Sequence, residues 1–129
     1  MAKRVLDVGN CVPDHAAIRA LVERNFDARV VQTHGPEDTL RELRDARYDL
    51  VLVTRKLDRD YSDGLDVIRR LAEQAAHRLT PGGWLTVEIG WDQGRTAPEV
   101  LARAGLADVV VRKDYSQNDR VVSGKRSAS

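Results

Sequence analysis

Short apolar runs rich in β-branched residues alternate with longer amphipathic stretches along the chain. Residues 5–8 (VLDV), 28–31 (ARVV), 50–53 (LVLV), 84–89 (WLTVEI) and 109–111 (VVV) have the length and the turn-bounded ends of strands. Between them, apolar side chains recur at three-to-four spacing, the period of a helix with one buried stripe. Ile18, Leu21 and Val22 make the first stripe, and Leu40 and Leu43 the second. Leu65, Ile68, Leu71, Ala72, Ala75 and Leu79 make the third, and Val100, Leu101 and Ala104 the fourth. Pro13-Asp14, Pro36-Glu37-Asp38 and Asp63-Gly64 sit where helices should open, and Gly82-Gly83 and Gly105 sit just past helix ends.

Strand and helix in strict alternation demand a mostly parallel sheet with right-handed crossovers and helices on both faces, a three-layer doubly wound α/β fold. The end differs. VVVRKDYSQNDRVVSG carries two short strands around the polar turn 116–119, a hairpin that makes the last strand antiparallel. The expectation is one domain over residues 1–129, with a frayed tail at 125–129 in which Lys125 and Arg126 are solvated ends.

Composition removes several function classes. Lys plus Arg number 21 against 20 Asp plus Glu, spread along the chain for a formal net charge of +1, so no nucleic-acid or membrane partner is expected. The single Cys11 excludes an intramolecular disulfide, and His15, His34 and His77 lack metal-ligand spacing, so no metal is expected. MAKRVLDVGN enters a strand pattern directly, and no apolar run approaches about 18 residues, the pattern of a soluble, cytoplasmic protein. No specific partner is expected, and the chain should be a monomer or weak homodimer, since Arg29 and Gln32 discourage pairing along the second strand at the sheet edge.

Residues 1–71 resemble a response-regulator receiver domain, a flavodoxin-like fold. The resemblance rests on DARVVQTHGPEDTLREL, YDLVLVTRKL and SDGLDVIRRL, the last standing in place of that family's DG-L-x-V-x-R-x-L. Receivers place two acids after the first strand to hold a divalent cation and a phosphoacceptor Asp after the third. Here Gly9 and Asn10 occupy the acid positions and Thr54 the acceptor position, which leaves no aspartyl-phosphate chemistry.

Residues 72–124 resemble the C-terminal part of release-factor glutamine methyltransferases, which are Rossmann-like. Pro81-Gly82-Gly83, Glu88-Ile89-Gly90, Gln93-Gly94, Lys113-Asp114 and Asp119-Arg120-Val121 fall in order on that family's pattern. The resemblance implies a Gly-rich cofactor loop after the first strand, an acid after the second strand for the ribose of S-adenosylmethionine, and Asn-Pro-Pro-Tyr after a strand reading fDlivs. VLDVGNCVPD keeps only Gly9 of the loop, the second strand ends in Thr33-His34, and Thr54-Arg55-Lys56-Leu57 replaces the substrate motif. Asp7 fits the cofactor-loop pattern but is read as structural.

The stripe through Leu65, Ile68, Ala72, Ala75 and Leu79 crosses the change of resemblance without a register break, as a splice inside a shared helix would. The expectation is therefore an engineered flavodoxin-like/Rossmann-like hybrid: five parallel strands and a final antiparallel one in the order 2-1-3-4-6-5, without cofactor or catalysis. A receiver-like binding module and an S-adenosylmethionine-binding remnant are the alternatives. Any ligand should sit where the strand order reverses, among Gly9, Asn10, Thr54, Arg55 and Lys56, a weak anion site set against a solvated loop paired with Asp58, Asp60 or Asp63. Glu88 as a base and Cys11 as a reactive thiol are weighed against structural roles, which are preferred. Trp84 and Trp91 are expected to cover the sheet edge and the adjacent loop, and Tyr61 and Tyr115 to sit in loops.

Overall fold

The computed structural model describes residues 2–9, 12–53, 64–89, 94–113, 116–117 and 119–127. The elements in chain order are β1 (Lys3–Val8), α1 (Val12–Asn25), β2 (Ala28–Thr33), α2 (Pro36–Asp45), β3 (Tyr48–Val53), α3 (Gly64–Arg78), β4 (Leu79–Glu88), α4 (Thr96–Arg103), β5 (Ala107–Lys113) and β6 (Asp119–Lys125). They form one sheet in the order β2-β1-β3-β4-β6-β5, the order expected from the two family resemblances. The strands from β2 to β4 pair in parallel, and β6 runs antiparallel between β4 and β5. Gln117, at φ 67, takes the left-handed conformation in the connection that reverses the chain from β5 to β6.

In-register pairing sorts the side chains by face. Leu6 stands beside Val51 and Val51 beside Leu85, while Val8, Val53, Val87 and Val122 form the next row. Leu43 of α2, Leu71 and Ala75 of α3, and Leu101 of α4 close over this face and complete one buried cluster. Each fully buried aliphatic side chain contributes about 1.5–3 kcal/mol, so this single face supplies most of the driving force for folding.

The other face carries Val5, Asp7, Leu50, Leu52, Trp84 and Thr86, with α1 lying against its β2 side. Here the expected stripe is only partly realised. Ile18 and Val22 are half-buried, Leu21 is 56% exposed, and α1 buries no residue completely. Among the described residues no second helix flanks α1, so the side of its stripe that a neighbouring helix would cover stays in water.

Two expectations are corrected at β4. Pro81-Gly82-Gly83 does not separate α3 from the strand but lies within it. β3 advances from Tyr48 to Leu50 while β4 advances from Leu79 to Trp84, so residues 80–83 bulge out of the ladder. Gly83 is required at this bulge, because a Cβ there would lie 2.9 Å from the Asp49 carbonyl oxygen and 3.0 Å from that of Thr80. Asp49 fastens the bulge further, accepting the Arg4 N–H at 2.8 Å and the Thr80 hydroxyl at 2.7 Å.

The supposed frayed tail is the second correction. Lys125 ends β6, and the Arg126 N–H donates to Gly83 while the Gly82 N–H donates to the Arg126 carbonyl, both at 2.9 Å. The Arg126 guanidinium also reaches the carbonyls of His77 and Leu79 at the end of α3. The bulge thus presents backbone groups that recruit the following segment. Trp84 is likewise not at an edge: it sits on β4 between β3 and β6, with Lys125 Nζ 5.8 Å from its ring centroid.

Core and surface leucines should separate cleanly in denaturant unfolding. Leu71→Ala should cost about 3 kcal/mol by opening a cavity in a closed face, whereas Leu21→Ala should cost less than about 1 kcal/mol.

Tyr48 supplies a pH-dependent check. Its hydroxyl donates to Glu42 Oε1 at 2.6 Å and Arg4 stacks 4.9 Å over its ring. Burial, then the bond and charge of Glu42, push its pKa from 10.0 up to about 12. A folded pKa above the unfolded one gives stability that is fully present below pH 10 and is lost as the pH rises toward about 12. Unfolding free energies measured across that window should fall for the native chain and stay flatter in Tyr48→Phe.

Candidate functional site

The chain leaves β1 toward β2 on one side and returns past β1 to β3 on the other, so the crossovers part at the carboxyl ends of β1 and β3. In open α/β sheets this is where ligands lie, because the diverging connections leave a crevice lined by strand ends. Val8 is in register with Thr33 on one side and Val53 on the other, which brings three strand ends level.

Gly9 is the one predicted site residue within the described residues. It has φ 86, a left-handed conformation that suits glycine, and its N–H donates to the Thr33 carbonyl at 2.9 Å. That bond closes the parallel ladder at the Val8–Thr33 pair, and the left-handed Gly9 ends β1 there. Asn10, Thr54, Arg55 and Lys56 lie outside the described residues, as do Cys11, Asp58, Asp60, Tyr61, Asp63, Trp91 and Tyr115.

Beneath this turn sits a pair that sequence reasoning missed. Asp7 is fully buried, and its Oδ2 is 2.8 Å from Nδ1 of His15, whose side chain is 14% exposed. With Asp7 ionised, Nδ1 carries the proton of this bond. The pair ties the first turn of α1 to the last turn of strand β1. The available signal was an acid inside an apolar strand, which needs a hydrogen-bonding partner once buried. His15 is the first histidine after it, one turn into the next helix.

The end of β2 is sealed by polar contacts. Thr33 and Thr39 are buried with their hydroxyl oxygens 2.8 Å apart, and the Thr39 hydroxyl donates to the Gly35 carbonyl at 2.6 Å. Asp38 turns back from the first turn of α2, its two carboxylate oxygens accepting the N–H groups of His34 and Gly35, each at 2.8 Å. Burial raises the pKa of Asp38, but those two bonds outweigh it and hold the carboxyl below its ordinary range. Pro36-Glu37-Asp38 marked the helix start in the sequence; the return of Asp38 to the strand end did not show there.

Glu88 ends β4 on the α1 side of the sheet and is exposed, in register with Val121. Among the described residues no group of three or more His, Cys, Asp or Glu side chains is arranged to hold a metal ion, and no helix is long and apolar enough to cross a membrane.

The fold is shared with solved structures of known proteins. Over 97% of its length the chain superposes on 80% of a protein-(glutamine-N5) methyltransferase (release factor-specific) from Alicyclobacillus acidocaldarius, with a TM-score of 0.76 at 22% identity. A methyltransferase from Pyrococcus furiosus gives a TM-score of 0.71 at 15% identity over 98% of this chain and 76% of that one. The fold is that of the Rossmann-like methyltransferases.

Sequence similarity is more particular: the C-terminal half resembles release factor glutamine methyltransferases. That of Xylella fastidiosa is 48% identical over 63 residues, 49% of this chain and 23% of that protein. That of Geobacter sulfurreducens is 34% identical over 133 aligned positions, 82% of this chain and 45% of that protein. The chain thus spans between about a quarter and just under half of these relatives' length. No protein-family model matches it.

These similarities overturn the expected engineered, catalytically inert chimera. The Geobacter alignment takes in more of the chain than residues 72–129 can supply, and the structural likeness covers nearly all of it, so methyltransferase relationship runs through both supposed halves. Nothing in these matches supports a receiver-like segment at 1–71. The expectation of no enzyme falls with it, because the relatives are methyltransferases. The strand–helix framework of the first seventy residues is common to doubly wound folds and does not by itself select a receiver.

The Asp7–His15 contact is checked by a double-mutant cycle. Asp7→Ala and His15→Ala should show a coupling of about 1–3 kcal/mol in denaturant unfolding, since either change alone removes one side of a contact buried at the α1–β1 junction.

Proposed function

We propose that the chain is a methyltransferase module of the release factor glutamine methyltransferase kind, binding S-adenosylmethionine at the carboxyl edge of β1 and β2. The alignment that continues through both halves carries this reading. The strand-end geometry supports it. Gly9 is left-handed directly after β1, level with the end of β2, and carries no side chain, as close approach of backbone to a cofactor requires.

The acid expected directly after β2 is absent, Thr33-His34 standing there, yet Asp38 folds back to the same strand end. Its two oxygens already accept the backbone N–H groups of His34, Gly35 and Thr39 at the strand end, which makes Asp38 the carboxylate placed to take the ribose hydroxyls. The bound cofactor supplies an electrophilic methyl group carried on a sulfonium.

What the chain's own residues contribute is placement. Asp7 and His15 hold the start of α1 above β1, and the Thr33–Thr39 contact with the Asp38 cap fixes the start of α2. The names of the relatives point to a glutamine side-chain amide of a release factor as methyl acceptor. Thr54-Arg55-Lys56-Leu57 departs from the substrate motif of that family at this position, so acceptor recognition here does not follow the usual residues.

Calorimetric titration with S-adenosylhomocysteine tests the cofactor site. Saturable heat is expected, abolished in Gly9→Val and weakened about tenfold in Asp38→Ala, the loss of roughly one charge-assisted hydrogen bond. Circular dichroism should show both variants folded. A native chain that gives no heat at millimolar ligand overturns the proposal.

A further inference from the structure

The outer surfaces of α2 and α3 pack side by side over the buried face of the sheet and leave a groove of about 490 Å³ between them. Its walls are cationic: Arg41 and Arg44 come from α2, and Arg70 and Arg78 from α3, with Leu40 and Gln74 between them. Glu37 is the one acid in the lining, so four guanidiniums face one carboxylate in a chain whose whole formal charge is +1.

Among the described residues, little neutralises these cations. Arg44 lies 3.6 Å from its sequence neighbour Asp45, both largely exposed. Arg41, Arg70 and Arg78 make no ion pair with any described residue. Arg41 and Arg44 are like charges three apart on one helix face, with Glu37 the one acid beside them in the groove. Leu40 is half-buried against the core cluster and keeps an apolar surface in the middle of the groove.

The chemistry selects a kind of partner. Guanidinium groups take carboxylates bidentately, and Leu40 offers a seat to one apolar side chain. Arg70 and Arg78 are eight helical residues apart, about 12 Å, which is the reach of roughly four residues of extended chain. A single-stranded nucleic acid would need aromatic stacking surfaces, which this lining lacks, and a duplex would need a broad basic face in a strongly basic domain.

We propose that the α2–α3 groove docks an extended acidic polypeptide segment, its carboxylates held by Arg41, Arg44, Arg70 and Arg78 and an apolar side chain by Leu40. This replaces the expectation of no specific partner, and it does not depend on cofactor binding.

Fluorescence anisotropy on the full chain tests it with a labelled peptide of alternating Glu and Leu, its Gln and Leu counterpart, and a labelled single-stranded oligonucleotide. The acidic peptide should bind saturably and more weakly as salt rises, and the Gln peptide should not bind. Arg41→Gln/Arg70→Gln should lower affinity at least tenfold, while Arg103→Gln/Arg112→Gln, exposed positions elsewhere, should leave it unchanged. Equal loss in both double variants, or an oligonucleotide that binds more tightly and displaces the peptide, overturns the proposal.

Discussion

Val8, Val53, Val87 and Val122 lie in register across four neighbouring strands, and the burial of that row with Leu6, Val51 and Leu85 beside it is the constraint on which the other elements depend. Side chains alternate along a strand, so a slip of one residue in any of these pairings would turn its valines to the opposite face. Register is fixed in consequence, and with it the level at which β1, β2 and β3 end. The strand-end geometry at Gly9 and Thr33 is thus a by-product of packing among strands distant from one another in sequence. The same face holds α2, α3 and α4 side by side, which creates the arginine-lined groove on their outer surface.

The opposite face is built by different means. With α1 as its one described helix, it relies less on apolar coverage and more on specific polar ties: Asp7 to His15 below the β1 turn, and Lys125 over Trp84 toward β6. At the amino ends of the strands, Asp49 links β1 to the β4 bulge, and Arg126 returns from β6 to the same bulge. These contacts fasten the antiparallel hairpin into a parallel sheet at the point where the crossover rule no longer positions the chain.

The receiver resemblance and the methyltransferase resemblance have different physical standing. The first rests on a strand–helix rhythm and on a third-strand segment, features that any doubly wound sheet needs in order to bury its strands. The second rests on residues with individual structural demands: Gly83 wedged against Asp49, Gly82 bonded to Arg126, and Asp119 and Val121 beginning the inserted strand. Similarity that extends through the first half agrees with the residues that carry such demands and not with the rhythm.

Periodicity was enough for the elements, the one-sided stripes of α2, α3 and α4, and the antiparallel ending, because period-two and period-3.6 patterns are properties of local sequence; the strand order came from the family resemblances and not from the pattern. Gly9 was singled out by the place where the strand order reverses, and its left-handed φ is one that glycine adopts without strain. Pairings between distant residues had no such signature. That His15 answers Asp7, that Asp38 returns to the end of β2, that Pro81-Gly82-Gly83 bulges within a strand and that Arg126 closes it all depend on which atoms meet across the fold. The exposure of Leu21 was equally out of reach, because a helical stripe records which side of a helix is apolar and only its neighbours in space decide how much of that side is covered.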